Sequence, residues 1–469
     1  MSPMTRRDWL AAGAAAVGGA VLGPARRVAA LPATWDPDAA GAALAPDSLA
    51  SGAAVSPATD VRRPAVRRAS LATPVDGDRP ARVTTPNGSA LTGRRAPDGA
   101  WVYHLTAGEV EHTFTPGLTA TCWGYNGQVH GPTIEAVEGE RVRIYVTNRL
   151  GVATTVHWHG VFLPSGMDGV GGLSQPAIPP GQTFVYAFTL RQHGTFMYHA
   201  HHDEMVQIAL GLTGMFVVHP RREDAPDRDF AMMLHEWAVR PGTSRPDPNE
   251  MTDFNVLTFN GRAFPGTDPL VVGLGDRVRI RFGNLGPMDH HPIHVHGHAW
   301  RTVATDGGPV PAGAQWPETT ALVPVGATRT VEFVADAPGD WAMHCHMTHH
   351  VMNQMGHGLP NTTGVDGRAL DRAVQPLAPG YMTMGEHGMD DMGRHVEAGH
   401  MPVPENSVPM VGAEGPFGYI TMGGMYTNLK VRPRPVDVTR DPGWYDHPPG
   451  TVAGPASSDA AARDGVRLS

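Results

Sequence analysis

Only two cysteines, Cys122 and Cys345, occur in 469 residues, so at most one disulfide can form and cross-links do not organise this chain. Charge is sparse as well: 17 % of residues are charged, the formal net charge is −9, and the body of the chain has no basic clusters. That balance argues against nucleic acid as a partner. The apolar stretch Ala11–Leu22 is too short to hold a helix across a bilayer, which excludes a membrane anchor there. Aromatic residues reach only 7 %, while Gly (57) and Pro (44) are abundant, a composition that suits many short strands joined by turns rather than long helices. Against these shortages stand 25 histidines and 22 methionines. Both are metal-ligand types, imidazole for copper or zinc and thioether for soft Cu(I).

The N-terminus reads as an address. Thr5-Arg6-Arg7-Asp8-Trp9-Leu10 precedes the apolar stretch, and small residues follow at Val28-Ala29-Ala30. Charged, apolar and small-residue regions in that order make residues 1–30 a secretory signal, with paired arginines of the twin-arginine type. An exported protein, periplasmic or extracellular, is expected. Residues 31–95, rich in Ala, Pro, Arg and Ser, read as a flexible leader.

From about residue 100 the pattern changes to strands and turns, and then it repeats. Asn126-Gly127, a proline, Gly139 and the alternating Arg141-Val142-Arg143-Ile144 up to Asn148 lead to HWHG at 157–160. Asn260-Gly261, a proline, Gly275 and Arg277-Val278-Arg279-Ile280 up to Asn284 lead to HPIHVHGH at 291–298. GTFMYHAH at 194–201 then corresponds to GDWAMHCH at 339–346. Landmarks in one order at nearly constant offset indicate a duplicated all-β unit of about one domain, and the alternation is that of half-buried strands in a sandwich. The expected division is one β-sandwich over 96–222, a second over 223–360, and a Gly/Pro/Met-rich tail over 361–469 that packs in extended form or loosely.

Four His-x-His pairs occupy matched positions in the repeat: His157/His159, His199/His201, His294/His296 and His344/His346. Alternate residues of a strand face one way, so four strands can converge eight imidazoles on one cavity. So many neutral imidazoles facing one another need a metal. In HCHMTHHVMNQM (344–355), Cys345 must point away from its two histidine neighbours, toward a second site. With His291, His350 and Met355 it supplies a thiolate, two imidazoles and a thioether, the ligand set of a blue-copper electron-transfer centre. Zinc would need more cysteine or a carboxylate and leaves the methionine unexplained. Cys122 is left as a lone buried thiol.

HWHG, HAH, HPIHVHGH and HCH, the last followed by His and Met, resemble the four copper-binding signatures of the multicopper oxidase family, in their usual order, over about 120–356. The resemblance implies two tandem cupredoxin-like Greek-key β-sandwiches with a Met/His-rich C-terminal extension. It also implies four coppers per chain. His157 and His294 would hold the type 2 ion. His159, His199, His201, His296, His344 and His346 would hold the type 3 pair, and His291, Cys345, His350 and Met355 type 1. His201 and His291 lie too close for an intervening sandwich, so the chain resembles a two-domain laccase of the small-laccase kind, with type 1 copper in the second domain. Through the repeat, Thr154 takes the His291 position and Ala200 that of Cys345. Relatives build each cluster between domain 1 of one subunit and domain 2 of the next, which implies a homotrimer. Nitrite reductase, a two-domain relative, carries type 1 ligands in its first domain instead.

Reducing dioxygen to water takes four electrons and four protons, so the cluster needs proton donors. Asp168 stands where the family keeps a carboxylate near the type 2 ion, though an Asp-Gly turn explains it equally. Relatives also carry a carboxylate between HCH and the next histidine; here Met347-Thr348-His349 has none. His349, or Asp203 or Glu204 after the second signature, would substitute. Met382, Met384, Met389, Met392 and Met401, with His387, His395 and His400, would suit cuprous ions as the reductant. Equally, they would suit gap-filling where the tail packs. Phenol, Cu(I) and Mn(II) remain open as the reducing substrate.

Overall fold

The computed structural model describes residues 75–240, 242–354, 368–374, 376–377, 405–408, 410 and 412–468. The expected signal (1–30), Met355 and the methionines and histidines of 382–401 lie outside the described residues.

Ten strands form the first half: β1 (Val75–Gly77), β2 (Ala90–Arg95), β3 (Trp101–Thr115), β4 (Leu118–Tyr125), β5 (Gly131–Val137), β6 (Arg141–Asn148), β7 (His157–His159), β8 (Thr183–Thr189), β9 (Gly194–His199) and β10 (Thr213–His219). They make one sheet in the order β7-β9-β10-β5-β2-β3-β6-β8, with β1 added to β2 and β4 to β3. Strand β6 shows why: Val142, Ile144 and Val146 are buried while Arg141 and Tyr145 face out, the alternation of a strand with one wet face. Both ends of the sheet feed a single core containing Leu105, Ile134, Ile144, Trp158, Tyr186 and Phe216, so the sheet folds over on itself.

The second half begins with β11 (Arg228–Trp237), β12 (Val256–Phe259), β13 (Leu270–Gly273), β14 (Arg277–Asn284) and β15 (His291–Val295). It continues with β16 (Trp300–Thr305), β17 (Gly308–Pro309), β18 (Pro317–Glu318), β19 (Thr320–Val323), β20 (Thr328–Val334), β21 (Gly339–Cys345), β22 (Ala413–Gly415), β23 (Gly418–Ile420) and β24 (Tyr426–Arg432). A seven-stranded sheet (β12-β11-β14-β20-β16-β17, with β18 on β16) packs on a five-stranded one (β13-β24-β21-β15-β19) around Phe230, Ile280, Ile293, Trp300, Val331 and Leu429. The pairings duplicate the first half. Strand β3 runs parallel to β6 as β11 does to β14, β6 antiparallel to β8 as β14 to β20, and His157 faces His199 as His294 faces His344. Among the described residues no helix is long and apolar enough to cross a membrane.

Two expected boundaries are corrected. The leader was expected to stay flexible through residue 95, yet β1 and β2 join the first sheet, Ala90 and Leu91 are buried, and the Thr84 and Phe230 backbones bridge the two sandwiches. A strand buried on both faces over its first four residues has no alternation to reveal it. The other correction concerns the tail. Strand β24 lies antiparallel to β21 and parallel to β13, as β10 does to β9 and β5. It is therefore the counterpart of β10, and residues 346–425 are an insertion between two paired strands. Its buried Lys430, the only lysine in the chain, is held by Asp441 at 2.7 Å.

Where the sandwiches meet, Thr195 receives Arg281 Nη1 at 2.9 Å and lies 3.1 Å from Thr330 Oγ1, beside a buried apolar group of Val83, Met197, Met215, Met233 and Leu285.

Candidate metal centres

Strands β7 and β9 set His157 opposite His199, and the pleat turns His159 the same way as His157. The rings of His157, His159, His199 and His201 gather with centroids 5.3–5.9 Å apart. Nitrogens of His157, His159 and His199 come within 4.8 Å of one another. Backbone carbonyls orient the rings. His157 Nδ1–H donates to the Asp168 carbonyl and His199 Nδ1–H to that of Ala200, each at 2.8 Å, leaving Nε2 of both as the free donor atom. Burial, reinforced by the neighbouring imidazoles, pushes His199 down to about 3, so the ring is neutral and able to bind a metal at pH 7.

Strands β15 and β21 repeat this with His294, His296, His344 and His346, centroids 4.9–5.7 Å apart. His294 Nδ1–H donates to the Thr319 carbonyl and His344 Nδ1–H to that of Cys345, again at 2.8 Å. His296 and His346 are exposed. The eight imidazoles form two tetrads, and among the described residues no ring contact or hydrogen bond joins them. Each pair of strands delivers four rings to its own edge, which is as far as strand alternation reaches.

Cys345 leaves β21 on the face opposite His344 and is fully buried. Its Sγ lies 3.4 Å from His350 Nδ1 and 3.9 Å from His291 Nδ1, and those two nitrogens are 3.2 Å apart. Burial pushes the thiol up to about 12, so a thiolate there depends on a bound cation. His350 comes from the short turn Thr348–Val351 after β21. Cys122 is a free, buried thiol.

One carboxylate here escaped the sequence. Glu236, on β11, has no exposed side-chain surface and its Oε2 lies 3.3 Å from His291 Nε2. Burial alone would raise its pKa, but His291 and the Asp289 backbone N–H outweigh that and hold it below the ordinary value. The signal was a charged residue in the otherwise apolar run FAMMLHEW, a burial that demands a partner. Asp289 Oδ2 stands 3.5 Å from His350 Nε2.

Of the expected proton donors, Asp168 puts Oδ1 3.4 Å from His157 Nδ1. Glu204, the first residue of helix α1 (Glu204–Ala209), places Oε1 3.4 Å from His199 Nδ1 and Oε2 3.9 Å from His201 Nε2. It lines a cavity of about 550 Å³ with the first tetrad, Met205, Met251 and Met288. His349 joins neither tetrad. It is exposed in a second cavity, of about 460 Å³, with Asp289, His346, Met347 and His350.

Family models described as multicopper oxidase match residues 106–223 and 240–364, together more than half of the chain. The chain belongs to the multicopper oxidase family. This multicopper oxidase is 39 % identical over 358 residues to a copper resistance protein A homolog of Pseudomonas syringae pv. tomato, covering 65 % of this chain and 58 % of that protein. It is 25 % identical over 410 residues to copper resistance protein A of Escherichia coli, covering 75 % and 66 %. The structure of a blue copper oxidase from Nitrosomonas europaea superposes with a TM-score of 0.52 at 25 % identity, covering 70 % of this chain and 85 % of that one. The chain spans about a third to two thirds of the length of such curated relatives. The donors fit copper: a thiolate with two imidazoles at one site and neutral imidazoles, fixed by carbonyls, at the tetrads.

Proposed function

We propose that this protein is an exported, laccase-like two-domain oxidase that takes electrons one at a time at a copper that His291, Cys345, His350 and Met355 would hold, and reduces dioxygen to water at the histidine tetrads. One observation carries the reading: Cys345 Sγ belongs to one donor set while its chain neighbours His344 and His346 belong to another. Copper at these sites, four ions per chain, supplies the one-electron steps and the dioxygen-reducing centre. The Cys345 backbone then gives a covalent path from the thiolate set to the tetrad on either side. Four donor molecules each release one electron, and one O2 with four protons becomes two waters.

His157 and His294 are proposed for type 2 copper, and His159, His199, His201, His296, His344 and His346 for the type 3 pair. Each chain keeps its two tetrads apart, and His296 and His346 of the second are exposed. A complete cluster is therefore proposed to form where the first tetrad of one subunit meets the second tetrad of the next, which closes a ring of three. Glu204, between His199 and His201, is the proposed proton carrier on the first tetrad, and Asp168 on His157.

The test is oxygen uptake by copper-loaded full chain with a phenol, Cu(I) and Mn(II) in turn. It is repeated for a variant carrying Leu at Met382, Met384, Met389, Met392 and Met401. Substitution is used because a truncation before these methionines would also remove β24. Uptake with at least one donor is expected. Selective loss of Cu(I) oxidation in the variant identifies a metal oxidase; equal loss-free turnover of phenol identifies a laccase. No uptake by protein holding all four coppers defeats the oxidase reading in favour of a copper carrier.

A further inference from the structure

In the tetrads, Nδ1–H of His157, His199, His294 and His344 donates to the backbone carbonyls of Asp168, Ala200, Thr319 and Cys345, while the Asp168 and Glu204 carboxylates stand 3.4 Å from Nδ1 of His157 and His199. In the thiolate set both imidazoles face a carboxylate through Nε2. His291 backs onto the carboxylate of Glu236 and His350 onto that of Asp289. Glu236 is the more constrained of the two. Its Oε1 accepts the backbone N–H of Met288 at 2.5 Å and of Asp289 at 2.8 Å, while Oε2 faces His291. The segment entering β15 is wrapped on this carboxylate, and a Cβ at Gly286 would overlap it. One buried group thus fixes both the ring of His291 and the chain that carries Asp289.

We propose that Glu236 is a positioning residue of the thiolate centre: it holds His291 with Nδ1 toward Cys345 and, with Asp289 behind His350, biases the centre toward its oxidised ion. The inference rests on the copper reading above. The bias follows from charge. A doubly charged ion gains more than a singly charged one from a negative charge nearby, so both carboxylates lower the reduction potential, the fully buried Glu236 more than the partly exposed Asp289. A low-potential entry centre selects easily oxidised donors, and Glu236 is in that sense specificity-determining.

The experiment uses the copper-loaded full chain with Glu236→Gln and Gly286→Ala, the second displacing the carboxylate without removing it. The readouts are the blue absorption band and the potential, titrated by following that band; thermal melts of the apo proteins check folding. Glu236→Gln keeps acceptors for both backbone N–H groups but not the charge. The expected result is a retained blue band with a potential raised by about 59 mV for each tenfold loss of preference for the oxidised ion. Gly286→Ala is expected to shift the potential the same way and to weaken copper binding at this site roughly 10- to 100-fold, as loss of an outer-shell partner does. A folded Glu236→Gln, or in its place a folded Gly286→Ala, with unchanged band, potential and copper affinity overturns the proposal. A copper-loaded, unmodified chain without a blue band sinks the copper reading instead, so the two failures are told apart.

Discussion

Two separated tetrads in one chain lead to a quantitative expectation for mixed oligomers. Let one variant lack the first tetrad (His157→Ala with His199→Ala) and another the second (His294→Ala with His344→Ala). Each alone has no complete cluster and turns over no dioxygen. When both chains are co-expressed in equal amounts, a cluster built between subunits is intact only where the second variant lends its first tetrad and the first variant its second. Random assembly into rings gives that pairing at one interface in four, so oxygen uptake returns to about a quarter of the unmodified level. The intact second tetrad then sits on a chain whose His291, Cys345 and His350 are also intact, so electron entry is preserved at every rescued site. The assay is oxygen consumption per chain, with native mass spectrometry of differently tagged variants proving that mixed oligomers form. Mixed oligomers no more active than either parent refute the shared cluster and require the tetrads of one chain to meet each other.

Three further outcomes are expected. Glu204→Gln leaves copper content unchanged and lowers oxygen turnover about 100-fold, the contribution of a placed proton donor, measured as kcat at constant copper loading. His219→Leu tests the buried pair of His219 Nε2 and Glu135 Oε2 at 2.8 Å. Burial lowers the pKa of His219, but Glu135 and Glu223 outweigh it and hold it above the ordinary 6.5. Its stabilisation is complete below 6.5 and fades as pH rises through the raised folded value. The substitution should therefore cost about 3–5 kcal/mol at pH 6 and less at pH 9, by urea titration at both pH values. Lys430→Met strands Asp441 beside the second core and is expected to cost about 3 kcal/mol, near the low end of the range because Asp441 keeps some solvent contact. A change under 1 kcal/mol would mean that the pair does not anchor β24.

The metal-binding elements were legible because their chemistry and their geometry share one period. A strand sends alternate residues to one face, so His-x-His writes a ligand pair into the sequence, and HCH writes two sites into three residues. The duplication was legible for a related reason: Arg141–Asn148 has one wet face and alternates visibly, and Arg277-Val278-Arg279-Ile280 repeats the alternation at the start of β14. What stayed hidden lacks such a period. Strand β2 is buried on both faces over its first four residues, β24 follows an insertion of some eighty residues after its partner β21, and Glu236 acts through contacts 52 to 55 positions away. A separation of the tetrads was implied by the family resemblance alone, since strand alternation says which way a ring points and nothing about which edge it meets.

The two copies also show how one duplicated frame holds a thiolate centre in one half only. At the first-domain equivalents of His291 and Cys345 stand Thr154 and Ala200, both fully buried. Thr154 Oγ1 donates to Gln207 Oε1 at 2.6 Å, and Gln207 Nε2 donates to the Ala153 carbonyl at 2.9 Å. The space is closed by neutral, mutually satisfied hydrogen bonds, which need no ion to balance a charge. Met205, at the place of His350, is 57 % exposed and points away from that interior. Restoring a cysteine at Ala200 alone would bury a thiol with no imidazole beside it, and burial raises such a thiol as it raises Cys122. The second half differs at every one of these positions together, and adds Glu236 and Asp289 behind its imidazoles. A thiolate centre is therefore a property of the whole buried set, whereas a histidine tetrad needs only two paired strands and can stand in both halves.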